Sequence, residues 1–275
     1  MKKLLKTPLL AFLLFNASTN ENRNINQSPT QSKLEILSQS VQRDESSNQK
    51  NLSSLVSYMK SKGFGIDSLI SDKRFQVYEE IQGRFTQSAE RKSRSLEEYK
   101  KIFNFEDKKK KIPIFMEKNS RHLKKAEETY GVPKEIISAI IGIESNFGAG
   151  TGRYNPFNAY ASMYIKGYRK DFAKTQLEEL LIFCKRNGIN VFDLKSSYAG
   201  AMSYAQFIPS SLNRWFVGSD LYSMEKNILS VANYISHFKK RTKSMEESVY
   251  RYNPSKLYVG IVMALAKEAK DDSNR

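Results

Sequence analysis

One cysteine, two histidines, one tryptophan and a shortage of acidic residues define what this chain of 275 residues is not. With Cys184 alone, neither an intramolecular disulfide nor a cysteine-based metal site can form. Cys184 stands at a helical apolar position of LEELLIFCKR, so its expected role is packing. His122 and His237 are far apart in sequence, which leaves a histidine-dependent triad or a histidine-rich metal site without support. Acidic residues number 29 against 45 lysines and arginines, a net charge of +16. Such a balance points to an anionic partner: nucleic acid, anionic lipid or an acidic wall polymer. Lys, Asn, Ile and Ser are abundant throughout, the bias an AT-rich genome produces, and part of the charge comes from it. Nucleic acid has no further support, because no basic reader helix or recognition motif accompanies the charge.

Long hydrophobic runs are missing as well. The longest, Leu9 to Phe15, is too short for an ordinary membrane span. It follows Lys2, Lys3 and Lys6 and precedes the small residues Ala17 and Ser18, the layout of an export signal over 1–18. An uncleaved anchor, or an N-terminal helix of the domain, fits the same residues. From 19 to 50 the chain is rich in Asn, Ser, Gln and Thr and is expected to be a disordered polar spacer. A domain over 51–270 and a disordered tail over 271–275 complete the division. Strong strand alternation is absent, and no internal repeat is found. Helical spacing recurs instead, as in Leu52, Leu55, Val56 and Met59, with Gly63 as the stop. The fold class is therefore mostly α. Between Ser93 and Tyr130 the buried candidates are Tyr99, Ile102, Phe103, Ile112 and Phe115, and the run Lys108–Lys111 reads as a solvated turn.

The most informative segment is GVPKEIISAIIGIESNFG, residues 131–148. Pro133 opens a helix, and Ile136, Ile140 and Glu144 fall on one face, with Ile137 and Ile141 beside them. A carboxylate ending an isoleucine stripe is either a group that reaches water at the helix end or a tool. Desolvation raises a carboxyl pKa, which suits a general acid. Paired-carboxylate chemistry needs a second acid that meets the first in space. The 26 residues from Ser145 to Lys170 contain none, and Glu178, Glu179 and Asp193 lie on stretches that look solvent-facing. A single acid with polar and aromatic helpers fits better. Candidate helpers are Ser197 and Gln206 in the small-residue segment SSYAGAMSYAQFIPSS, with Tyr234, Tyr252 and Asn253 further on. Six of the 13 glycines lie between Gly131 and Gly167, flanking the acid, and suggest a flexible cleft edge.

These segments, followed by SVANYISHF and YRYNPSKLY in that order, resemble the membrane-bound lytic murein transglycosylase B family over roughly Leu52 to Lys267. The resemblance implies a lysozyme-like helical catalytic domain with an N-terminal helical extension. It also implies non-hydrolytic cleavage of the MurNAc-β-1,4-GlcNAc bond of peptidoglycan to 1,6-anhydro-MurNAc ends, with Glu144 as single acid and base. Ser197, Gln206, Tyr234, Tyr252, Asn253, Tyr258 and Arg169 match substrate-binding positions. Tyr168 stands where the family has a second arginine, and Phe172 where a cleft tyrosine often occurs. RWFVGSDLYSMEKN lacks the D-x-D-x-D-G pattern of the family's calcium loop, so no metal is expected, and no cofactor. Only ISHFKKRTKSMEESV separates the last two motifs, where the family carries a sizeable insertion, so a more open cleft is expected. The partner implied is the peptidoglycan strand, not nucleic acid, with peripheral membrane association possible, a monomeric state, and an exported protein of the periplasm or cell envelope. The rivals are a hydrolytic muramidase on the same fold and a non-catalytic wall-binding protein.

Overall fold

Helix follows helix through almost the whole described chain. The computed structural model describes the backbone of residues 31–86, 93 and 95–273, and the side chains of 44–86, 93 and 95–271. The expected export segment at 1–18 lies outside the described residues.

The first helix, α1 (Gln31–Ser61), corrects the spacer expected over 19–50, because residues 31–50 are helical. Gln, Lys, Glu and Leu recur there with no Gly or Pro after Pro29, so polar composition and helix propensity point in different directions and propensity decides the backbone. Among the described side chains, Asn51 ties the helix to the domain by donating to the Ile165 carbonyl at 2.8 Å, and Leu55 and Met59 are fully buried. Two short helices follow, α2 (Asp67–Ile70) and α3 (Ile81–Thr86). Next comes α4 (Leu96–Ile102), whose N-cap Ser95 accepts from the Glu98 amide. Helix α5 (Phe105–Lys118) begins after Asn104 in the left-handed region, and α6 (Ser120–Tyr130) ends on Gly131 at φ 65°.

The centre is α7 (Lys134–Ser145), buried at every residue from Ile136 to Ser145. A helix apolar on all sides belongs inside a helical domain. It packs on α5, on α11 (Met224–Thr242) and most extensively on α13 (Lys256–Ser273). The second buried helix, α8 (Pro156–Ile165), starts with proline at its first position behind the N-cap Asn155. It packs on α1, on α3 and on α9 (Lys170–Asn187). Helices α10 (Pro209–Trp215) and α12 (Met245–Tyr252) complete the set. One hydrophobic cluster runs from Leu55 to Ala269. Helix α13 reaches Ser273, so the expected tail over 271–275 is helical for three of its residues.

Among the described residues there is no extended strand, only three antiparallel bridges: Tyr154 to Ser196, Ser196 to Met202, and Met202 to Phe207. They fasten the loop after α7 to the small-residue segment. The glycine-flanked edge is therefore not loose, contrary to the flexible edge expected. A Cβ on Gly152 would lie 1.9 Å from the Ser196 carbonyl oxygen, and one on Gly142 would lie 2.6 Å from the Phe147 ring. These glycines permit close approach of packed groups. Where the sequence suggested an insertion was missing, α11 and α12 are joined by Lys243 and Ser244 alone.

Candidate active site

Glu144 sits in the last turn of α7, 3% exposed. Its Oε1 accepts a hydrogen bond of 2.7 Å from the Tyr258 hydroxyl on α13. Tyr258 is itself 1% exposed, and its phenol is pushed well above the ordinary value, first by burial and then by the charge of Glu144. The tyrosine is thus held as a neutral donor to the carboxyl.

Beyond the acid, the chain turns through Asn146 (φ 50°), Phe147 (φ 60°) and Gly148 (φ 89°), three left-handed residues in a row. Asn tolerates this region, while a bulky Phe enters it only when its surroundings hold it there. The Phe147 ring lies over Gly142, which has no Cβ to obstruct it, and packs on Phe115 at 5.2 Å. Ser145 Oγ accepts from the Gly148 amide at 3.0 Å and closes the turn. This geometry carries the chain sharply away from α7 and leaves Glu144 on the wall of a cavity of about 300 Å³. Asp107, Lys108, Asn146 and Gln206 line the same cavity.

Lys108 is where the structure departs most from the sequence reading. The run Lys108–Lys111 is the middle of α5, not a solvated turn, and Lys108 is 5% exposed. Burial lowers its ammonium from 10.5 to about 8. Its Nζ donates to Asn146 Oδ1 at 3.3 Å. The signal was present: Phe105, Lys108, Ile112 and Phe115 recur at helical spacing, and all four are buried.

Gln206 reaches the cavity from a separate loop, 2% exposed, with a left-handed backbone (φ 51°) and its Nε2 donating to the Ser203 carbonyl at 3.0 Å. The loop that carries it is fixed by hydrogen bonds from beneath. The Tyr252 hydroxyl donates to the Ala205 carbonyl, and Asn227 Oδ1 accepts from the Ala205 amide at 3.0 Å. Asn227 escaped the sequence reading because a lone asparagine inside α11 carries no distinguishing pattern.

Of the expected binding residues, Glu144, Gln206 and Tyr258 are brought together, and Tyr252 stands one layer behind Gln206. Ser197, Tyr234, Asn253 and Arg169 do not line this cavity. Ser197 is fully buried, and its Oγ accepts from the Ala201 amide at 3.3 Å within the loop. Tyr234, 2% exposed, donates to the Arg251 carbonyl at 2.6 Å and packs on Tyr252 with ring centres 5.0 Å apart. Asn253 caps α12. Arg169 lies with its guanidinium 4.1 Å from the Phe172 ring centre, a cation–π attraction.

The site thus holds a buried carboxyl with a tyrosine donor beside it, at the end of an apolar helix, in a cavity that Gln206 also lines. A model of the transglycosylase SLT domain matches residues 30–247. The chain belongs to this transglycosylase family. The Escherichia coli (strain K12) protein named membrane-bound lytic murein transglycosylase B is 34% identical over 143 residues, covering 50% of this chain and 40% of that relative. The matched region thus spans less than half of the relative's length. The soluble lytic transglycosylase SltB1 of Pseudomonas aeruginosa superposes with a TM-score of 0.70 at 24% identity, over 82% of this chain and 99% of that one. The Escherichia coli lytic transglycosylase Slt35, solved in complex with bulgecin A, superposes with a TM-score of 0.71 at 21% identity, over 82% and 94%. The mostly helical, lysozyme-like architecture expected from the motifs is shared with these transglycosylases, and the family expected is the family found. Among the described residues, no helix is long and apolar enough to cross a membrane.

Proposed function

We propose that this transglycosylase-family chain cleaves the β-1,4 bond between N-acetylmuramic acid and N-acetylglucosamine in peptidoglycan and releases 1,6-anhydro-muramic ends. The observation that carries the reading is Glu144 itself: a carboxyl 3% exposed, held by Tyr258 at 2.7 Å on the wall of a cavity. An acid that becomes a base must pass between its protonated form and its carboxylate, and Glu144 is placed to serve in both. In the first step Glu144 gives its proton to the glycosidic oxygen as the bond from that oxygen to the muramic C1 breaks. In the second, the Glu144 carboxylate takes the proton of the muramic C6 hydroxyl while O6 bonds to C1. The acid returns to its starting form and no water is consumed. The muramic acetamido group is proposed to stabilise the intermediate in place of a second carboxylate.

Gln206, on the same cavity, is proposed to contact the sugar directly, and Tyr252 to hold the Gln206 loop. Ser197, Tyr234, Asn253 and Arg169 are proposed to shape the glycan path at a distance from the acid. The same reading makes this a monomeric, exported enzyme of the cell envelope, peripherally associated with the membrane. Its charge of +16 draws it to an anionic polymer.

One observation favours hydrolysis instead. Asp107 lies on the same cavity, as a second carboxylate must in a hydrolase that activates water. Its carboxylate is engaged by Lys111 at 2.6 Å, which favours the single-acid route. Mass spectrometry of digested sacculi separates the two readings. Anhydro-muropeptides that persist in Asp107→Asn and disappear in Glu144→Gln support the transglycosylase, whereas reducing-end products that require Asp107 support the hydrolase.

A further inference from the structure

Lys108 is the group near the acid that the reaction above leaves unused. The residue is buried and lines the same cavity as Glu144 and Gln206. A lysine offers three donors, and the structure gives this one a single hydrogen bond, to Asn146 Oδ1 at 3.3 Å. Among the described residues no carboxylate lies within ion-pair distance of it. Asp107 is bound to Lys111 at 2.6 Å, and the next lysine in the run, Lys109, pairs with Glu268 at 2.6 Å. The neighbouring Asp107 charge does not offset the burial of this cation, and a buried cation in no direct ion pair lowers stability, so an acceptor entering from the cavity has the most to contribute there.

We propose that Lys108 is a substrate-selecting residue whose ammonium binds the free carboxylate of the lactyl ether on muramic acid, so that the enzyme prefers glycan strands stripped of their stem peptides. This assignment rests on the muramic-acid cleavage proposed above. N-acetylglucosamine carries no charge, so the lactyl carboxylate is the anionic group of a peptide-free strand. Once a peptide is attached, the same carbonyl belongs to a neutral amide. The lactyl ether is on C3, two ring carbons from the C1 at which Glu144 acts, so a wall that carries the acid is well placed to meet the substituent of the same sugar. A charge-assisted hydrogen bond is roughly twice as strong as a neutral one, which corresponds to a preference of about tenfold.

The experiment uses Glu144→Gln, which keeps the cavity and stops turnover. It is titrated calorimetrically with a GlcNAc–MurNAc tetrasaccharide carrying free lactyl carboxylates, and with the same saccharide as its lactyl amides. The carboxylate form is expected to bind about tenfold more tightly, with Lys108→Arg in the same background keeping the preference and Lys108→Met reducing the ratio to about one. Equal binding of both forms to the parent variant, or a preference that survives Lys108→Met, overturns the assignment. If neither form binds, the glycan reading falls together with it. If the saccharides bind without discrimination, only the role of Lys108 is lost. Circular dichroism of each variant confirms that the comparison is made between folded proteins.

Discussion

The two sides of the acid cavity are built by different means. On one side, α7 places Glu144 at the end of a helix buried from Ile136 to Ser145, and dispersion and burial do the positioning. On the other, Gln206 rides on a loop with almost no regular structure. That loop is held by the Tyr252 hydroxyl, the Asn227 side chain and the bridges of Ser196 and Phe207. A helix stripe is robust to small losses, because its contacts are many and individually weak. A hydrogen-bonded loop depends on a few groups, each of which leaves a buried polar partner behind when removed. The acid side should therefore respond to mutation in rate, and the loop side in stability.

The largest effect expected is at Glu144. Glu144→Gln should lower the rate by about a thousandfold or more and leave the melting temperature close to that of wild type, as measured on sacculi and by thermal denaturation. A variant that loses structure as well as rate would place Glu144 in the scaffold.

Gly152→Ala comes next. Its Cβ would meet the Ser196 carbonyl oxygen at 1.9 Å, from a backbone at φ 93°. A loss of about 3 kcal/mol or more is expected in denaturant unfolding, because backbone must move on both sides of the bridge.

The pair Tyr252→Phe and Tyr258→Phe draws the contrast most sharply. Removing the Tyr252 hydroxyl leaves the buried Ala205 carbonyl without its donor, for a cost of about 1–3 kcal/mol. Removing the Tyr258 hydroxyl takes the donor from Glu144 and should lower kcat by about tenfold to a hundredfold with a smaller change in stability. The reverse pattern would break the distinction between the two sides.

The smallest effect expected is a pH-dependent one at Lys108, whose ammonium is lowered by burial from 10.5 to about 8. Below about 8 the folded protein carries a buried charge that the unfolded chain holds in water, so the penalty is fully present. It fades as pH rises from about 8 to 10.5, where the unfolded chain also becomes neutral. Lys108→Met should therefore be more stable than wild type at pH 7, by about 1–2 kcal/mol, with the difference shrinking toward pH 10. A difference that does not change with pH would mean that packing, not charge, is the cause.

How much of this was legible in the sequence follows the same division. The helical class and the apolar stripe that ends at Glu144 came from spacing, because a helix face repeats and a repeat can be counted, while the choice of Glu144 as the acid needed the missing second carboxylate and the family resemblance. Gln206 stood out as a polar helper in the small-residue segment, and Tyr258 came from the family resemblance alone, since no periodicity marks it. Lys108 was misread because a run of like charges normally belongs to solvent, and only the positions of Phe105, Ile112 and Phe115 around it show which of the lysines turns inward. The helix over 31–50 was hidden by its polarity, which resembles a spacer in composition but contains no helix breaker. Tyr234 and Tyr252 look alike as cleft aromatics in the sequence, yet each uses its hydroxyl on a backbone carbonyl, of Arg251 and of Ala205. Which partner a buried hydroxyl finds is a tertiary matter that spacing cannot encode. The glycines near the acid suggested freedom, whereas the packing of Gly142 and Gly152 shows close approach.

The central claim is that one buried carboxyl, Glu144, both gives and takes the proton without water entering the bond. Mass spectrometry of muropeptides released from purified sacculi in oxygen-18 water tests it most directly. The account predicts 1,6-anhydro-muramic ends without isotope incorporation, and none from Glu144→Gln. Reducing muramic ends that carry the label would contradict it.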